Sequence, residues 1–190
     1  MEGRSPVEES RQVIIETSGQ ELTCRKRPAS IHGEMNPGAA VLDDQTFLSR
    51  FEAGTFPLDQ WHHRQHIKVA YLYLCVHPFE VAIERMRTGI HALNAAHGAP
   101  DELTRGYHET MTQAWMRLVQ VTLCEYGPAA SADEFFDSNP QLAEKKVLRL
   151  FYSRPRMMSA EAKARFVEPD LAPLPKSQKV PKLQPEARQS

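Results

Sequence analysis

Three histidines fall within five positions in Trp61-His62-His63-Arg64-Gln65-His66, and a fourth stands beside a carboxylate in Gly106-Tyr107-His108-Glu109-Thr110. Neutral imidazole is a ligand for zinc, copper, nickel and ferrous iron. It is also the side chain whose ordinary pKa lies nearest neutrality. Two chemistries therefore compete for such clusters: metal coordination and proton transfer. Which histidines could act together depends on the faces they share.

Ile67, Ala70, Tyr71 and Leu74 repeat at i, i+3, i+4 and i+7, the stripe of an amphipathic helix. At about 100° per residue, His63 lies roughly 40° from Ile67, between Ala70 and Leu74, and points inward. His66 lies roughly 100° from Ile67, at the edge of the stripe, and His62 roughly 140° away, toward solvent or a neighbouring helix. On a second helix through Met111 and Trp115, His108 sits roughly 60° from Met111 on the shoulder of the apolar face, while Glu109 lies roughly 160° away. Tyr107 shares the apolar side.

This geometry predicts that His63, His66 and His108 hold one divalent transition metal (zinc, iron or copper). A fourth position is left for water or substrate, as in catalytic metal sites. Glu109 or Tyr107 would move the proton, and Trp61, Tyr71, Tyr107 and Trp115 would line or support a pocket for a small molecule. The expected activity is that of a metal-dependent hydrolase or oxidoreductase. Two other readings compete: an accessory or binding protein whose buried histidines are structural, and a metal-free enzyme using His63 or His108 as general base. Glu-x-x-His does not recur as a pair in the core helices, which argues against a di-iron carboxylate centre. No Gly-rich phosphate loop or G-x-S-x-G is present. Cys75 and Cys124 lie in apolar helices as inert thiols, and Arg154 and Arg156 are expected as exposed loop charges.

The elements that must position these residues are helical. Asp43 or Asp44 caps a first helix bearing Phe47, Leu48 and Phe51, ended by Gly54. Asp59 is expected to cap the histidine helix, which closes at His77-Pro78. A third helix buries Phe79, Ala82, Ile83, Met86, Ile90 and Leu93 and stops at Gly98; His97 is expected to meet its C-terminal carbonyls. Asp101 is expected to cap a fourth, running through Tyr107 and Trp115 to Gly127. Ser131 and Glu134 have capping-box spacing, Asn139-Pro140 begins a sixth helix with Leu142, Leu148 and Phe151, and Ser159 caps a last one. The expectation is an all-α, single-domain helical bundle of six to seven helices over residues 42–168. Residues 1–41 would be a flexible N-terminal tail and 169–190 a flexible tail rich in Pro and Lys.

The set Phe51…Gly54-Thr55-Phe56-Pro57, Trp61-x-His63-x-x-His66-Ile67, Gly106-Tyr107-His108-Glu109-Thr110, Phe151-Tyr152-Ser153 and Glu168-Pro169-Asp170-Leu171 resembles an uncharacterised family of small, mainly bacterial helical proteins. The resemblance spans residues 46–174. It implies that His63, His66, His108 and Glu109 belong to one site and that His62 is incidental. No activity follows from it.

Bulk properties agree with a globular domain. Twenty-three basic and 24 acidic residues leave a net charge of -1. That balance gives no reason to expect nucleic acid as a partner. No apolar run reaches about 18 residues, so no membrane span is expected. Three cysteines without metal-type spacing, and a charged N-terminal stretch without an apolar core, point to the cytoplasm.

Overall fold

The computed structural model describes residues 43–102 and 105–176. Among them are seven α-helices, three 3₁₀ turns and no strand, so the domain is all-α. The helices are α1 (Asp44–Glu52), α2 (His63–Val76), α3 (Phe79–Ala96), α4 (Glu109–Tyr126), α5 (Ala132–Ser138), α6 (Arg154–Met157) and α7 (Ala160–Ala164). The tail expected over 1–41 lies outside the described residues. No described helix is long and apolar enough to cross a membrane.

Helix α2 is the hub. It packs on α3, α4 and α5, while α1 covers α2 and α3, and α7 lies on α4. The apolar stripes account for this arrangement, because each helix has one face to remove from water. Ile67, Ala70, Ile83, Met86, Leu93, Ala114, Leu118 and Val119 are all buried. Helices α1 and α3 approach closely at Gly89 of α3, where the fully buried Phe51 ring of α1 lies against the backbone. A Cβ there would stand 2.3 Å from a Phe51 ring carbon.

Several caps fall where the sequence places them. Asp43 Oδ1 accepts from Thr46 N at 2.9 Å, Ser131 Oγ from Glu134 N at 3.1 Å, and Ser159 Oγ from Ala162 N at 3.1 Å. Other boundaries differ. Helix α2 starts at His63 and is not capped by Asp59; Leu58–Gln60 form a 3₁₀ turn instead. The reason is Trp61, whose ring stacks on Phe51 at 4.9 Å with an interplanar angle of 9°. That packing holds the chain outside the helix until His62, whose N–H donates to Gln65 Oε1 at 3.1 Å.

Helix α4 likewise starts eight residues after Asp101, at Glu109. Gly106 sits at φ +81°, a left-handed conformation that cannot continue a helix. Lys163 of α7 holds the preceding turn, donating to Asp101 Oδ1 at 2.7 Å, to the Arg105 carbonyl at 2.8 Å and to the Tyr107 carbonyl.

The helix expected after Asn139-Pro140 is replaced by two 3₁₀ turns, Pro140–Leu142 and Val147–Leu150. Arg154 and Arg156, expected in a loop, belong to α6, which Ser153 caps. His97 bonds the Phe56 carbonyl at 3.0 Å rather than carbonyls of its own helix. Beyond residue 168 the chain stays packed as far as it is described. Asp170 Oδ1 accepts from Ser153 N at 2.8 Å, Leu171 N donates to the Phe151 carbonyl, and Leu174 is buried.

Candidate functional site

A cavity of about 430 Å³ opens between α2, α3 and α4, with His63 and His66 on one wall and Trp115 and Met116 on another. Its mouth is formed by the turns that precede α2 and α4, which supply His62 and His108, and by Lys145. All four histidines of the two sequence clusters therefore line one cavity, although their nitrogens are not equally free.

His63 Nε2 lies 2.7 Å from the Leu142 carbonyl. A carbonyl only accepts, so Nε2 carries the proton and Nδ1 has the lone pair. The ring packs against Trp115 with centroids 4.4 Å apart. Burial pushes its pKa below the ordinary value; the Leu142 bond opposes this and the nearby Lys145 charge adds to it. His66 is anchored in the opposite sense. Its Nδ1–H donates to the His62 carbonyl at 2.9 Å, one turn back, leaving the lone pair on Nε2. Trp61 covers the ring at 4.5 Å. Burial depresses the His66 pKa to about 4, with the neighbouring His63 and His62 contributing. His66 is thus neutral throughout the physiological range.

His108 differs from the sequence expectation. It is the N-cap of α4 and not a member of its interior. Its Nδ1 accepts from Met111 N at 3.2 Å, while Nε2–H donates to the Met157 carbonyl at 2.9 Å. Both nitrogens are occupied, and in this conformation His108 has none to offer a metal. The helical projection holds only where α4 exists, and the backbone of His108 is extended at φ -138°, ψ 104°. Among the described residues no group of three or more His, Cys, Asp or Glu is placed to hold a metal ion.

Glu109 was expected to face away from the core and is instead buried, because α3 covers that side. Arg87 of α3 grips it with two bonds, Nη2 to Oε1 at 2.7 Å and Nε to Oε2 at 3.0 Å. Gln113 donates to Oε1 at 2.6 Å and Tyr107 to Oε2 at 2.8 Å. Burial alone would raise the Glu109 pKa, but these hydrogen bonds and the Arg87 charge bring it down to about 2. The Tyr107 phenol is pushed up by burial and by the carboxylate it serves. Glu109 lines a second, more open cavity of about 510 Å³ with Arg87, His91 and Lys163; Tyr107 is the wall between the two. The structure therefore brings Tyr107 to the histidine cavity and directs Glu109 away from it.

Trp61 and Trp115 line the histidine cavity as expected. Tyr71 does not; its hydroxyl donates to the Ala129 carbonyl at 3.1 Å, tying α2 to the turn before α5. Sequence reasoning missed Lys145, which lies in an irregular turn where no periodicity assigns a face. It also missed Arg87, whose partner is 22 positions away. A signal did exist for the start of α4: Gly106 two positions before His108 is a helix stop.

Comparison with family models, with curated proteins and with solved structures finds no match for this chain.

Proposed function

We propose that the chain is a metal-dependent enzyme acting on a small molecule in the cavity between α2, α3 and α4. His63 Nδ1 and His66 Nε2 hold a divalent transition metal: zinc, iron or copper. The observation that carries this reading is the paired anchoring of the two rings. Each imidazole gives one N–H to a backbone carbonyl and keeps a lone pair on the other nitrogen. That is the outer-shell arrangement of metal-binding histidines, in which the second hydrogen bond sets tautomer and ring orientation. Depressed basicity assists, since neither ring must lose a proton to bind. Solvent or substrate completes the coordination, with His62 at the cavity mouth as a further nitrogen. A bound metal would supply a Lewis acid or an acidified water. The odd cysteine count supports a cytoplasmic location.

A metal-free reading is favoured by one observation, the absence of a third placed ligand among the described residues. In it, His63 and His66 act as neutral hydrogen-bond acceptors or bases toward the ligand. Elemental analysis of untagged protein, reconstituted with zinc, iron and copper in turn, separates the two. The metal reading expects metal content and metal-induced stabilisation in the parent and in His91→Ala, and their loss in His63→Ala and His66→Ala. No metal in the reconstituted parent, or equal content in all variants, selects the metal-free reading.

A further inference from the structure

The lining of the histidine cavity is electrically one-sided. Apart from its imidazoles, the only charged side chain that lines it among the described residues is Lys145. No carboxylate lines it. Lys145 is exposed, in the turn between the two 3₁₀ turns after α5. Among the described residues no hydrogen bond or ion pair engages its ammonium, whereas the other cations near the two cavities are taken: Arg87 by Glu109 and Lys163 by Asp101. Deeper in, the walls are apolar or aromatic: Trp61, Trp115, Met86, Met116 and Ile90.

We propose that the cavity takes a small monocarboxylate with an apolar body, its carboxylate held by Lys145 at the mouth and its body lying between Trp61 and Trp115. This rests on the reading of the cavity as a small-molecule site. A single ammonium matches a single negative charge. A dianionic phosphate is better matched by more than one cation or by a forked arginine, and among the described residues Lys145 is alone and no arginine lines this cavity. In the metal-free protein, in which the probes are measured, the remaining nitrogens of His63 and His66 present lone pairs and no N–H donor, so the carboxylate belongs at the lysine end and not beside them.

The chain has two tryptophans and both line the cavity, so intrinsic fluorescence reports its occupancy. Three ultraviolet-transparent probes of similar shape serve: 3-cyclohexylpropanoate, its primary amide and 3-cyclohexylpropylamine. The parent is expected to bind the carboxylate about fivefold more tightly than the amide, in the range of a partly exposed ion pair, and the amine most weakly. The preference falls as salt is raised. Lys145→Gln abolishes it while leaving amide affinity unchanged, which also reports an intact fold. Lys145→Arg retains it, as does Lys146→Gln, at an exposed neighbour that does not line the cavity. Equal affinity for carboxylate and amide in the parent overturns the proposal and leaves the small-molecule site standing. So does a preference that survives Lys145→Gln; if it then disappears in His63→Ala, the anion is held at the histidines. Failure of all three probes to perturb the tryptophans overturns both readings together.

Discussion

His63 donates its Nε2 proton to the carbonyl of Leu142, 79 positions further along the chain, at 2.7 Å. The bond joins the first turn of α2 to a 3₁₀ turn that the sequence presents as helix. It satisfies a backbone acceptor that the irregular turn leaves without a helical partner. It also decides which nitrogen of His63 faces the remaining chemistry. Lys145 follows three residues later, so the same turn orients the imidazole and delivers the cation. A regular helix through 139–151 would have spent that carbonyl internally.

His108 is expected to be structural. His108→Ala removes the cap of α4 and should lower stability by about 1 kcal/mol, the usual cost of a lost N-cap. Metal content should not change, because neither His108 nitrogen is available. Chemical denaturation and elemental analysis of the same preparation check both halves. Loss of metal in this variant would restore the three-histidine site.

Acid should destabilise the fold well above the carboxylate range. His66 has a folded pKa of about 4, below its ordinary 6.5, and the pKa values of His63 and His108 are also lowered. Between pH 6.5 and 4 the unfolded chain therefore binds more protons than the folded one. The stability is fully present above pH 6.5 and is lost as pH falls toward 4, at about 1.4 kcal/mol per pH unit for each proton taken up. His66→Gln should reduce the slope in that window by up to one proton. Denaturant midpoints at half-unit pH steps measure it, and an unchanged slope would contradict the burial of a neutral His66.

Glu109 is expected to serve stability rather than the cavity. Glu109→Gln leaves Arg87 without its bidentate partner and should cost about 2 kcal/mol, in the range for unpairing a partly buried ion. Metal content and probe binding should persist. The Glu109 contribution is present above the ordinary carboxylate pKa of 4.5 and lost as pH falls toward about 2, so the variant should lose the parent's acid sensitivity there. Loss of metal or probe binding at unchanged stability would return Glu109 to the site.

Gly89→Ala tests the packing of α1 on α3. A methyl group would overlap the Phe51 ring, which is fully buried and stacked on Trp61. Helix propensity favours alanine by up to about 1 kcal/mol, but overpacking should outweigh it and leave a net loss of about 2 kcal/mol. Because Trp61 also lines the cavity, its fluorescence should shift. A stabilised variant would mean that α1 is free to move away.

The sequence by itself determined the helical class, most of the buried stripes of α2 and α3, part of that of α4 (Ala114, Leu118 and Thr122, but not the exposed Met111), and several caps: Asp43, Ser131 and Ser159. All of these depend on interactions within about four residues of each other, which periodicity and capping chemistry report directly. It also placed His63 and His66 on one side of α2. The tertiary structure alone decided the rest. Trp61 stacking on Phe51 delayed the start of α2; Gly106 signals the late start of α4 in the sequence, but Lys163, bonding the Arg105 and Tyr107 carbonyls, fixes the turn that leads to His108 as cap. Arg87 drew Glu109 into a buried ion pair, and the turn around Leu142 selected the His63 tautomer. Each of these is a contact between residues 10 to 79 positions apart, outside the reach of any local helical pattern. No helical projection contains such contacts, because a projection assumes that the helix exists at the residue being projected.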